Sequence, residues 1–163
     1  MIVDDARHFI NTTNKKYDII IYDLYHSETP PIHLLTKEAF HEIRNELSDG
    51  GILTINFYGF INGNLGKAAR SIYKTLLEQN FNVRLIATPG KEVSRNLIFI
   101  CSKGNFDETK NIDDIWIKPS EIDLDDAIVL TDDKPILEHI YLEAALMWRM
   151  GYNEVNTKYF INK

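Results

Sequence analysis

Tyr17-Asp18-Ile19-Ile20-Ile21-Tyr22-Asp23 decides how the rest of this 163-residue chain is read. Three consecutive isoleucines closed by acids fit a strand buried on both faces, as in a parallel sheet. Upstream, Ile2-Val3 is a short apolar stub ending in Asp4-Asp5, and residues 6–13 predict a short helix with Phe9 and Ile10 inward. Downstream, residues 24–35 hold two prolines and read as a loop. Thr36 suits a helix N-cap, and Glu38 falls in the first turn, where a carboxylate is favoured. Ala39, Phe40, Ile43 and Leu47 then share one face at helical spacing. Asp49-Gly50-Gly51 closes that helix and opens a strand over 52–57.

Asn62-Gly63-Asn64 is a turn before a helix over about 65–79, with Ala68, Ile72, Tyr73 and Leu76 inward. Strands follow over 82–87 and 97–102, separated by the turn signal Thr88-Pro89-Gly90. Residues 103–127 are polar and acid-rich apart from Ile115-Trp116-Ile117, and predict an irregular connection. Thr131-Asp132-Asp133-Lys134-Pro135 predicts the cap of a last helix over 136–150. A second reading of Thr131-Asp132-Asp133 is an acidic lip to a substrate cleft. The order gives an α/β fold with a mostly parallel sheet whose last two strands form an antiparallel pair. In such sheets ligands sit beyond the carboxyl ends of the strands, where Asp4-Asp5, Asp23 and Asn56 fall.

A length of 163 residues with 44% hydrophobic content suits one domain with a sizeable core. The net charge of -6 argues against general nucleic-acid binding and is compatible with a cationic substrate. The single cysteine, Cys101, reads as a buried strand residue and excludes an internal disulfide. No apolar run approaches the ~20 residues of a membrane span. Met-Ile-Val-Asp-Asp lacks the features of a signal peptide, so a soluble cytoplasmic protein is expected.

Three stretches resemble the spermidine synthases and their relatives. Val3-Asp4-Asp5-Ala6-Arg7-His8-Phe9-Ile10 is similar to the family's Asp-Ala-Arg or Asp-Gly segment, with an aromatic residue four positions after the acid. The isoleucine strand ending at Asp23, then Pro31-Ile32-His33-Leu34-Leu35-Thr36-Lys37-Glu38-Ala39-Phe40, fits the family spacing without a gap, and Leu47-Ser48-Asp49-Gly50-Gly51-Ile52-Leu53 continues it. Leu130-Thr131-Asp132-Asp133-Lys134-Pro135-Ile136-Leu137-Glu138 is similar to a segment of the broader spermidine-synthase-like proteins. The resemblance implies a partial Rossmann-like sheet of the S-adenosylmethionine methyltransferase type, with residues 1–163 as the C-terminal portion of a spermidine synthase-like domain. It implies that Asp5 bonds the adenine amino group of decarboxylated S-adenosylmethionine or methylthioadenosine. Ala6 would lend its backbone beside the ring, and Asp23 would face the attacking amine. Aminopropyl transfer is a displacement at carbon next to a sulfonium. A carboxylate that holds the ammonium and takes its proton suits that step.

The pattern also departs from the family. Polyamine aminopropyltransferases carry a second Asp where this chain has His26. Glu28 is the nearby acid that would substitute, so His26 and Glu28 are the expected substrate-binding residues. His26 has no second His or Cys at ligand spacing, and no metal is expected. His33 reads as a loop anchor, His8, His41 and His139 as surface residues, and Trp116 and Trp148 as packing residues. The family's strand and glycine-rich nucleotide turn have no counterpart before Asp4. Gly59, Gly63 and Gly66 do not match the dinucleotide fingerprint and read as a turn and helix start. Without those strands Ile19–Ile21 would lie on an open sheet edge, which invites pairing with another chain. The expectations are therefore a homodimer, completion by a separate N-terminal half, or a degraded remnant, with little activity from the isolated chain. The alternatives to an aminopropyltransferase part are a non-catalytic truncated fragment or interaction module, and a methyltransferase of related fold.

Overall fold

The computed structural model describes residues 4–23, 30–106 and 116–160, with 152–160 described by their helical backbone alone. The elements are α1 (Ala6–Thr12), β1 (Tyr17–Tyr22), α2 (Lys37–Glu46), β2 (Leu47–Tyr58), α3 (Lys67–Glu78), β3 (Asn82–Ala87), β4 (Asn96–Ser102), β5 (Trp116–Ile117) and α4 (Leu137–Phe160). The expected strand over 82–87 is β3 to the residue, and Thr36 caps α2 by accepting from the Ala39 amide at 3.3 Å.

The strands form one sheet in the order β1-β2-β4-β3-β5. β1 pairs parallel with β2, with Ile20 opposite Leu53 and Tyr22 opposite Ile55. β4 lies between β2 and β3 and runs antiparallel to both, so β1, β2 and β3 share one direction. The expected antiparallel pair of last long strands is β3 with β4. Residues 103–127 hold more order than expected, because Trp116–Ile117 adds to β3 as β5. Ile117 packs against the core, and the Arg84 guanidinium lies 5.3 Å from the Trp116 ring centre.

Side chains of a strand alternate between faces, and here the two faces differ. Leu53, Ile55 and Phe57 of β2, Leu97 and Phe99 of β4, and Leu85 of β3 are buried on one face. Phe40 and Ile43 of α2, Ile72 and Leu76 of α3, and Tyr141 of α4 join the same core. The Phe57 ring lies 4.9 Å from Tyr141 and 6.4 Å from Phe99. On the other face Ile52, Thr54, Ile98 and Ile100 are only half-buried. Ile19 and Ile21 are 63% and 66% exposed. The isoleucine strand is therefore not buried on both faces, which corrects the reading from its composition. β1 ends the sheet, so its second neighbour and the cover for Ile19 and Ile21 are lacking among the described residues.

Gly66 fixes the start of α3. A Cβ at this position would lie 2.2 Å from the carbonyl carbon and oxygen of Ile61, so only glycine lets the two backbones approach. The Gly59-to-Gly66 stretch is thus a turn and helix start, as its spacing suggested.

The one-sided core gives a test. Phe57→Ala should lower unfolding free energy by about 3–5 kcal/mol in urea denaturation. Ile21→Ala should change it by no more than about 0.5 kcal/mol. Comparable losses at both positions would contradict the burial described.

Candidate functional site

α1 runs back along β1, so its first residues and the end of β1 meet at the same end of the sheet. Ala6 and Tyr22 line one cavity of about 270 Å3 there, together with Phe9, Ile10 and Ile20. Asp5 is the N-cap of α1 and accepts from the amides of Arg7 (2.9 Å) and His8 (3.0 Å) through one oxygen. Its other oxygen lies 3.5 Å from Nε2 of His33. The His8 amide, then the Arg7 amide and His33, hold the Asp5 carboxyl below the usual aspartate range, against a smaller effect of desolvation. Asp5 is thus a helix cap whose second oxygen still faces outward.

Asp23 follows β1 directly. Its carboxylate accepts from Nδ2 of Asn56 on the neighbouring strand at 2.8 Å. The two strand-end residues singled out in the sequence therefore touch. The amide oxygen of Asn56 and the phenol of Tyr22 are buried and have no hydrogen-bond partner among the described residues. Burial pushes the Tyr22 phenol far up, so it stays protonated and is a donor. Pro30 and Pro31 line a small recess with Tyr22 and Asn56. His26 and Glu28 lie outside the described residues.

A third feature was not foreseen. Arg7 reaches from α1 to α2 and to the C-terminal segment. Its Nε pairs with Glu42, one amino group bonds Glu42 (2.9 Å) and Asp132 (3.0 Å), and the other bonds the His33 carbonyl (2.6 Å) and Asp132 (3.4 Å). Thr36 donates to Asp132 at 2.6 Å. The Asp132 carboxylate is thus spent on α1 and Thr36, and not on capping the last helix. A cavity of about 290 Å3 lies beside this junction, between His33 and residues 130–137. The only sequence hint was the Arg that follows Asp5-Ala6, since its partner lies 125 positions away.

Elsewhere the side chains act as packing. Cys101 is buried, and burial pushes its thiol up, so it is a poor nucleophile. Trp148 stacks on Tyr58 at 4.7 Å, and His8, His41 and His139 are exposed. Among the described residues no three His, Cys, Asp or Glu side chains converge as a metal site. Among the same residues no helix is long and apolar enough to cross a membrane.

The mixed sheet with its helices on one face is of the methyltransferase-like kind, and the comparisons agree with that fold. The chain belongs to the spermine/spermidine synthase domain family, whose model matches residues 1–108. A polyamine aminopropyltransferase of Vibrio vulnificus is 28% identical over 97 residues, covering 58% of this chain and 32% of the relative. The N-terminal histidine N-methyltransferase of Emericella nidulans is 32% identical over 81 residues, covering 47% of this chain and 13% of that protein. Among solved structures, a "probable spermidine synthase" from Corynebacterium glutamicum superposes with a TM-score of 0.56 at 26% identity, covering 68% of this chain and 40% of that one. The chain thus spans about a third or less of the length of these sequence relatives.

The junction has a pH signature. Burial alone would raise the Asp132 carboxyl, but Thr36 and Arg7 outweigh it and hold the group below the usual range. A depressed folded value stabilises the fold above the unfolded value of about 3.9, and this is lost as pH falls through the folded one. The melting temperature of the wild type should therefore fall more steeply below about pH 4 than that of Asp132→Asn. Parallel acid profiles of the two proteins would contradict the assignment.

Proposed function

We propose that this chain carries the acceptor-side carboxylate and one wall of the nucleoside site of an aminopropyltransferase-like enzyme. The observation that supports the reading is the Asp23–Asn56 bond at adjacent strand ends, with Asp5 and Ala6 at the same end of β1. Decarboxylated S-adenosylmethionine is the expected donor. The Asp5 oxygen that is not used in capping accepts from the adenine amino group, and the backbone at Ala6 lies beside the ring.

The chemistry then needs little from the protein. The acceptor amine is an ammonium at neutral pH. Asp23 holds it and takes its proton, with its own orientation fixed by Asn56. The freed lone pair attacks the methylene next to the sulfonium. The new C–N bond forms as the C–S bond breaks, and neutral methylthioadenosine leaves. Alignment of the two partners supplies most of the acceleration. His26 and Glu28 follow Asp23 in the sequence and would select the acceptor; an imidazole at the first position speaks for an acceptor other than a simple diamine.

The reading also gives the β1 edge a purpose. An apolar edge strand is a template for a further strand. The longer relatives carry polypeptide that this chain does not match, and such a segment, in the same or another chain, completes the nucleotide site at that edge. A second copy pairing through Ile19–Ile21 is the alternative, and it would make the chain an interaction module. The unpaired buried thiol suits a cytoplasmic protein. The Emericella methyltransferase relative supports a second reading, in which the same nucleoside delivers a methyl group.

The tests are a thermal shift and a turnover assay. Saturating methylthioadenosine should raise the melting temperature, because it binds only the folded state. No shift at millimolar ligand would overturn a nucleoside site on this chain alone and turn the search to the segment that completes it or to a pairing partner. In a preparation that turns over decarboxylated S-adenosylmethionine and an amine, Asp23→Asn should cut kcat by about 10²–10⁴. Retained kcat would remove Asp23 from the mechanism. Methyl transfer without aminopropyl transfer would favour the second reading.

A further inference from the structure

We propose that Asp132 is a positioning residue for the Asp5 end of the site and acts through Arg7. The inference rests on the functional reading above.

Residues 118–136 lie beyond the part of the chain that matches the family, yet they are built into its body. Arg70 forks onto Asp126 with contacts of 2.8 and 2.7 Å. The amides of Ile128 and Leu130 donate to the hydroxyls of Ser71 (3.2 Å) and Thr75 (3.0 Å) on α3. The Leu130 carbonyl accepts from the amide of Lys37, the first residue of α2, at 2.9 Å. The segment is therefore held on two helices before it reaches Asp132, whose own amide donates to Glu38 at 3.0 Å. Asp132 arrives at a fixed place.

α1 needs such a fixed point. It has seven residues, none of them buried, and a helix of that length does not hold its direction alone. Its Asp5 cap closes the first turn but does not aim it. Arg7 aims it. A guanidinium has five N–H donors, and all five of Arg7 are taken by Glu42, Asp132 and the His33 carbonyl. Glu42 grips one edge of the plane. Asp132 bridges its two amino groups on the next edge, which stops the plane from rotating. His33, the imidazole beside Asp5, hangs on the same guanidinium through its carbonyl. Loss of Asp132 leaves Arg7 held by Glu42 and the His33 carbonyl alone, free to turn, and Asp5 and His33 part.

The test follows the Asp5 carboxyl by carbon NMR across an acid titration and methylthioadenosine affinity by calorimetry. It compares the wild type with Asp132→Asn, Arg7→Lys and Asp126→Asn. The charged groups facing Asp5 and its helix are Asp4, Arg7, His8, His33, Glu42 and Asp132. Removal of the Asp132 charge by itself would lower the Asp5 midpoint. Loss of position raises it toward the ordinary aspartate range, because His33 no longer meets it, while the capping amides of Arg7 and His8 travel with the helix. Asp132→Asn and Arg7→Lys should therefore raise the midpoint and weaken nucleoside binding by about tenfold, as expected when a charged hydrogen bond is misplaced. Asp126→Asn removes one bond to α3 and leaves the Ser71, Thr75 and Lys37 bonds that hold residues 128–130, so it should lower the melting temperature and leave the midpoint in place. An Asp5 midpoint that is unchanged or lowered in Asp132→Asn would overturn the proposal, as would an equal rise in Asp126→Asn. If the wild type does not bind the nucleoside, the functional reading fails for this chain alone, and the titration still decides the positioning role.

Discussion

The structure depends on one guanidinium. Arg7 ties a short surface helix to α2 and to a segment from the far end of the chain, beside the apolar contacts that Ala6 and Ile10 make with the core. Among the described residues the sheet behind it is packed mainly on one side. α2, α3 and α4 supply a dense core on the face of Phe57 and Phe99, while the face of Ile19 and Ile21 stays open. Hydrophobic burial therefore holds the body together. A charged junction decides where the polar residues at the end of β1 point.

The two halves of that division were unequally legible in the sequence. Apolar periodicity and turn residues report local burial, so Ala39-Phe40-Ile43 and the strand at 82–87 stood out. The same logic misread Ile19-Ile20-Ile21, because three isoleucines state that a strand wants two covered faces, not that it has them. β5 was missed because two residues are too few to show an alternation. The Arg7–Asp132 pair was missed for another reason: residues 125 positions apart share no spacing rule. Asp5 was visible as a cap, and the structure shows that use through one oxygen, with the other beside His33.

Membership of the spermine/spermidine synthase domain family joins these observations. Asp23 and Asn56 meet at the ends of parallel neighbours, where ligands bind in sheets of this kind. The sequence relatives are much longer than the part this chain matches, and β1 is one edge of the described sheet. The buried oxygen of Asn56 and phenol of Tyr22, without a partner among the described residues, line the same recess. They are polar groups whose cost of burial falls when something binds there.

The central claim is that the carboxyl ends of β1 and β2, with the start of α1, form one nucleoside-facing surface. Amide and side-chain NMR shifts during a methylthioadenosine titration would test it most directly. The account predicts saturable shifts confined to Asp5, Ala6, Tyr22, Asp23, Asn56 and His33. Shifts centred elsewhere, for example around β5 or the exposed side of α4, would contradict it.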